Sequence, residues 1–315
     1  MNPLVSVICL CYNHQKYLLE AINSVLDQSY KEIELIIVDD CSTDSSRELL
    51  RKLASDFPQI RLLENEVNRG NCKSFNKALA LSKGKYIIDF ATDDVMFPNR
   101  IQKQVESFEK LGKEYGVLFT NALNIDESGR VLYAHFKEQA NIPSGDIYKT
   151  LLEKYLINPP TMMMKKSVLD QLGGYDESLH YEDFDFWVRS SRDFKYFYLN
   201  EILTQRRIVG TSHSAKFYQK KSQYMAESTY RVIEKARWLN KNKEENESLQ
   251  IRIQSELRLA FYMENFMLVR KYGSLLKLLD GETVLSKLIC FLSLLKVPVF
   301  SFYKIYLKIK PSTAY

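Results

Sequence analysis

The chain has 315 residues, of which 45% are hydrophobic and 26% charged, and its formal net charge is +5. That length accommodates one large α/β domain, or a domain of about 200 residues with a helical appendage. The balance is that of an ordinary globular protein, which excludes a disordered or fibrous chain, and so small a positive excess gives no ground for a nucleic-acid partner.

Apolar runs of strand length alternate with helical patterns through the first 120 residues. Val5 to Leu10, Leu35 to Val38, Ile60 to Leu63 and Tyr86 to Phe90 read as strands. Between them Leu18, Ile22, Val25 and Leu26 share a helical face, as do Phe75, Ala78 and Leu79, then Ile101, Val105 and Phe108. This β-α-β-α rhythm predicts a Rossmann-like, mostly parallel central sheet flanked by helices, with ligand groups collected at the carboxyl ends of the strands. From Gly116 to Tyr198 the pieces shorten, with Pro159-Pro160 and Gly173-Gly174 as breakers, and a mixed sheet edge with ligand-facing loops is expected there. Met162-Met163-Met164 reads as a buried strand, and Trp187, just after the acids at 182 and 183, as half core, half wall of a binding site.

Beyond Ser214 strand signals vanish. The spacing predicts a helix over Tyr224 to Leu239, a charged connector over Lys241 to Glu247 and one long helix over Leu249 to Lys271, and it makes Lys216, Lys220 and Lys221 a solvated helix face. A division into 1–214 and 215–315 follows. Val284 to Lys310 is hydrophobic, interrupted by lysines and Pro298, and no acidic residue follows Glu282. Such a stretch is expected to lie on an anionic membrane surface rather than to cross the bilayer, the alternative being a helical pair packed on the catalytic portion or on a second subunit. The five cysteines form no C-x-x-C pair, the four histidines (His14, His135, His180, His213) show no ligand spacing, and no signal-peptide pattern precedes Leu4. A cytoplasmic setting is expected.

Three acidic pairs stand where strand ends or loops would present them: Asp39-Asp40, Asp93-Asp94 and Glu182-Asp183. Two adjacent carboxylates cannot both be buried without partners, so such pairs face solvent, a metal or a polar ligand. Around them stand Val5-Ser6-Val7-Ile8, Cys11-Tyr12-Asn13, Ile37-Val38-Asp39-Asp40, Asn68-Arg69-Gly70, Thr92-Asp93-Asp94, Gly173-Gly174-Tyr175 and Tyr181-Glu182-Asp183. In this order, over residues 4 to 214, the series resembles glycosyltransferase family 2, whose catalytic domains have the GT-A fold.

The resemblance implies a nucleotide-sugar donor, a saccharide or lipid-linked saccharide acceptor, and Mg²⁺ or Mn²⁺ as cofactor. Tyr12 matches the residue that stacks on the donor base and Asp39 the one that hydrogen-bonds to it; Asn13, Asp40 and Arg69 flank that position and are counted with the donor-binding set. Asp93 matches the ribose-holding acid and Asp94 the metal ligand. Glu182 and Asp183 match the acceptor-side pair, with Asp183 as the base that removes the proton from the attacking hydroxyl. Two departures stand out: Ala91 replaces an acid common two residues before Asp93, and Arg207 lacks the Arg-x-His pattern, leaving Arg206 and Arg207 each as either a phosphate contact or a surface or structural arginine. A nucleotidyltransferase would carry a Gly-rich basic loop where Cys11-Tyr12-Asn13-His14 stands. A non-catalytic sugar-binding module would have no need of Asp39, Asp93, Asp94 and Asp183 together.

Overall fold

The computed structural model describes residues 2–210 and 223–303. His213, Lys216, Lys220 and Lys221, and the tail from Lys304, lie outside the described residues. The first half runs β1 (Val5–Cys11), α1 (Leu18–Leu26), β2 (Ile33–Asp39), α2 (Ser46–Asp56), β3 (Ile60–Glu64), α3 (Asn71–Leu79), β4 (Tyr86–Ala91), β5 (Val95–Met96) and α4 (Arg100–Phe108). Then come β6 (Tyr115–Ile125), β7 (Val131–Ala134), α5 (Tyr148–Glu153), β8 (Met163–Lys165), α6 (Lys166–Leu172), α7 (Asp183–Ser190) and β9 (Lys195–Arg207).

All nine strands join one sheet in the order β3-β2-β1-β4-β8-β6-β9-β5, with β7 on β6. The first four are mutually parallel, while β8 runs antiparallel to both β4 and β6. β9 is parallel to β6, and β5 and β7 pair antiparallel. The sheet is therefore mostly parallel with a mixed far side. Every residue of β1 is buried, as befits a strand covered on both faces. Its alternation divides the core: Val5, Val7 and Cys9 pack with Leu18, Ile22, Val25 and Ile101, whereas Ile8 and Leu10 pack with Phe75, Val117 and Trp187.

The second of those clusters continues into the C-terminal helices α8 (Gln223–Leu239), α9 (Lys243–Tyr262), α10 (Phe266–Leu278) and α11 (Val284–Leu294), through Val232, Leu249, Leu268 and Tyr272. Two boundary expectations are corrected here. The charged connector shrinks, because Asn242 caps α9 by accepting the Glu245 N–H at 2.9 Å, which makes Lys243–Glu247 its first turns. The single helix expected over Leu249–Lys271 breaks after Tyr262, where Glu264 is left-handed at φ 56° and Asn265 caps α10 by accepting the Leu268 N–H at 3.2 Å.

Trp187 is also corrected: it is wholly buried and its indole N–H meets Met162 Sδ at 3.2 Å, so it is core alone. Met163 and Met164 do form a buried strand. α11 is inside out, since it buries Ser286, Ile289 and Ser293 and exposes Val284, Leu285, Leu288, Phe291 and Leu294. Among the described residues no helix is long and apolar enough to cross a membrane.

Candidate active site

Parallel pairing sets Cys11 beside Asp39 and Leu10 beside Ala91. Tyr12, Asp39-Asp40 and Asp93-Asp94 therefore leave neighbouring strands at one sheet edge. Tyr12 presents a ring that is 43% exposed. Asn13, left-handed at φ 59°, has a structural role. Its Oδ1 accepts the N–H groups of Thr43 at 2.7 Å and Asp44 at 3.3 Å, locking the loops after β1 and β2 together.

The two acids that end β2 differ. Asp39 is wholly buried; its Oδ1 accepts the Ser42 N–H at 3.0 Å and Arg47 Nε at 3.1 Å, while Oδ2 has no partner. An unpartnered buried carboxylate oxygen is a standing invitation to a ligand N–H. Asp40 is saturated instead, accepting from Asn65 Nδ2 and from the N–H groups of Arg69 and Gly70, all at 2.8 Å. It clamps the turn that enters α3, where Gly70 at φ 82° takes a left-handed conformation. The exposed side chain of Arg69 stands on that turn.

Asp94 is buried at the next strand end, with Oδ1 accepting the Arg207 N–H at 2.8 Å. Burial, and then the Asp93 charge, push its carboxyl well above the usual range; the Arg207 N–H and the charges of Arg206 and Arg100 oppose them. Arg100 is itself wholly buried, bonded to Gln104 Oε1 at 3.1 Å, and burial lowers its guanidinium to about 9.

The guanidinium of Arg207 donates to the Asp93 carbonyl at 3.0 Å, the Asp126 carbonyl at 3.2 Å and Glu20 Oε2 at 2.6 Å, and it lies over the Tyr17 ring. Of the two readings of Arg207, these contacts favour the structural one, for a buried guanidinium already spread over three acceptors holds the site's frame. Arg206, its half-buried neighbour, lies within electrostatic reach of both Asp94 and Asp183.

No group of three or more His, Cys, Asp or Glu able to cage a metal occurs among the described residues. The donor set fits a cation held differently. Mg²⁺ and Mn²⁺ sites commonly take one or two protein carboxylates and complete their shell with water and substrate phosphates, and Asp94 beside Asp93 supplies that.

Facing this edge, Glu182 and Asp183 open α7. Asn71 Nδ2 donates to Glu182 Oε2 at 2.6 Å, and the Tyr155 hydroxyl donates to Asp183 Oδ2 at 2.5 Å, leaving Asp183 Oδ1 buried and unpartnered. Asp89, from within β4, accepts the Tyr175 hydroxyl at 3.1 Å. Burial raises all three carboxyls; the Asp183 charge raises Asp89 and Glu182 further and the Asp89 charge adds to Glu182, while hydrogen bonds from Tyr155 and Glu182 and the charge of Arg206 draw Asp183 back. The group keeps protons to higher pH than ordinary carboxylates do. Asp185, two residues along α7, is wholly buried and paired with Arg189 at 2.7 Å and Lys235 at 2.6 Å.

Sequence reasoning missed Asp89, Tyr155, Asn71 and Tyr175. Of these, Asp89 has one legible signal, an acid inside the apolar run Tyr86 to Phe90; it lies on the same strand face as Ala91, where the acid common at that position is missing.

Residues 6–173 match the family model described as Glycosyl transferase family 2. The chain belongs to that family. An uncharacterized glycosyltransferase of Methanocaldococcus jannaschii is 33% identical over 244 residues, covering 76% of this family 2 chain and 81% of that one. The Bacillus subtilis glycosyltransferase TuaG, provisionally named for teichuronic acid biosynthesis, is 29% identical and covers 76% and 91%. Among solved structures, S. aureus TarS 1-349 in complex with UDP-GlcNAc superposes with a TM-score of 0.70 at 17% identity, covering 98% of this chain and 93% of that one. At such identity the likeness speaks for the fold, which is GT-A.

Proposed function

We propose that this family 2 glycosyltransferase moves a sugar from a nucleotide diphosphate, most simply UDP, to a hydroxyl of a glycan or lipid-linked saccharide, with inversion at the anomeric carbon. The observation that carries the reading is the bare Asp39 Oδ2 at the same sheet edge as the exposed Tyr12 ring and the Asp93-Asp94 pair. A base ring lying on Tyr12 and donating an N–H to Asp39 would set the diphosphate toward Asp94, with Asp93 near the ribose and Arg206 near the phosphates. TarS is described with UDP-GlcNAc, and the Pyrobaculum calidifontis mannosyltransferase PcManGT with GDP-Man and Mn²⁺, at a TM-score of 0.59; both support a nucleotide-sugar donor.

Asp94 and Asp93 would hold Mg²⁺ or Mn²⁺. When bound, that ion supplies positive charge to the diphosphate as it departs. Asp183, on the opposite side, removes the proton of the attacking hydroxyl through Oδ1, and its raised proton affinity brings it nearer the range in which a base works best. A thermal-shift series with UDP-, GDP- and dTDP-sugars, with and without Mn²⁺, tests the donor side. One donor should raise Tm, and chelation should abolish the rise; no response to any donor would remove the donor reading.

The setting we assign is surface-polysaccharide assembly on the cytoplasmic face of the membrane, in line with the provisional name of TuaG. The catalytic portion is 1–214, and 215–315 carries the docking surface. The exposed apolar stripe of α11, flanked by Lys287 and Lys296 with no acid after Glu282, suits an anionic lipid surface. Flotation with anionic vesicles should carry the protein, and Leu288→Glu with Phe291→Glu should release it. Failure to float, with a concentration-dependent dimer in solution, would hand that stripe to a second copy of the chain.

A further inference from the structure

From beyond its own helix end, where Glu182 stands, the Asp183 carboxylate is held by one side chain. Tyr155 lies in the segment after α5, and its hydroxyl reaches Asp183 Oδ2 at 2.5 Å, while its ring stands edge-on to Trp187 with centroids 4.6 Å apart. Residues 183 and 187 are one turn apart on α7, so the tyrosine is registered twice against the helix that carries the carboxylate. Trp187 is a firm stop, being wholly buried and bonded to Met162 Sδ. The terminal torsion of an aspartate is soft, and no partner other than Tyr155 is seen at Oδ2, while Oδ1 has none.

We propose that Tyr155 is a positioning residue for sugar transfer, its O–H fixing the Asp183 carboxylate so that Oδ1 alone is presented to the acceptor hydroxyl. This rests on the reading of Asp183 as the base. The groups acting on that carboxylate come from every side: Glu182 on its own helix, Asp89 on β4, Cys72 on α3, Tyr175 and Tyr181 on the segment before α7, and Arg206 on β9. Among them the phenol O–H stabilises the ionised form directly.

The test is Tyr155→Phe, which keeps the ring against Trp187 and removes the donor. A lost hydrogen bond to the charged form raises its pKa, so the acid limb of kcat/KM for the acceptor should move up by about one pH unit. Transfer should fall roughly tenfold below the limb and recover above it, with donor KM unchanged. The position of a limb does not depend on how much protein is folded. Asp183→Asn, assayed alongside, separates the two readings. An inactive Asp183→Asn with an unmoved limb in Tyr155→Phe overturns this proposal alone, whereas turnover by Asp183→Asn removes the base assignment and this proposal with it.

Discussion

The strand-end acids of β2 and β4 and the acids gathered around the start of α7 use the same residue types in opposite ways. At the donor edge the chain supplies donors to its acids: Asp40 is saturated by Asn65 and two backbone N–H groups, and Asp39 is bonded to Ser42 and Arg47 with one oxygen left bare. On the acceptor side Asp89, Glu182 and Asp183 face one another, supported by neutral donors from Tyr175, Asn71 and Tyr155. The first arrangement holds carboxylates still, as recognition of a fixed ligand requires. The second raises proton affinity, as transfer of a proton requires.

The comparison breaks most sharply at its working oxygens. Asp183→Asn should lower transfer by about a hundred- to ten-thousand-fold with donor binding intact, and Asp94→Ala by at least as much with donor binding weakened. A donor-consumption assay with either variant near wild-type rate would cancel that residue's role. The adjacent arginines come next. Arg207→Ala removes a buried frame and leaves three acceptors without it, at a cost of about 3 kcal/mol, so Tm should drop by several degrees. Arg206→Ala should raise donor KM roughly tenfold, a value typical of one lost charge-assisted contact; an unchanged donor KM would remove its phosphate role.

Asp40→Asn is milder. An amide oxygen cannot serve all three donors, so stability should fall by about 1–2 kcal/mol in denaturant melts. The smallest effect depends on pH. Asp89 binds its proton more tightly folded than unfolded, so the native state loses stability as pH rises from the ordinary carboxylate range toward about 7, where its folded carboxyl titrates. Asp89→Asn should therefore stabilise by on the order of 1 kcal/mol at high pH and by much less near pH 4. Tm measured across that range would show a flatter profile than the wild type; a parallel profile would remove Asp89 from the acid group.

Much of this frame is legible in residue order. The apolar runs from Val5, Leu35, Ile60 and Tyr86 match β1 to β4 within one or two residues, and β1, β2 and β4, sheltered on both faces for most of their length, leave the continuous apolar signature of covered strands. The acids after them are legible because parallel strands deliver their carboxyl ends to one edge. β9 leaves no such signature, its apolar residues being interspersed with Asn200, Glu201, Gln205 and Arg206. The break between α9 and α10 is hidden too, since its signal is one left-handed glutamate and a capping asparagine inside an otherwise helical pattern.

Local order alone thus determined the first four strands, which strand ends carry acids and which family the chain resembles, since each follows from periodicity and spacing along short stretches. Only the folded chain decided which oxygens stay free, because a side chain's partners come from distant segments: Arg207 is claimed by Glu20, 187 positions away, and Asp89 by Tyr175, 86 away. Burial is likewise a property of the whole packing. It put Trp187 in the core, turned Leu285, Leu288 and Leu294 of α11 outward and gathered three acids where burial and the Asp183 charge raise the hold of Asp89 and Glu182 on protons.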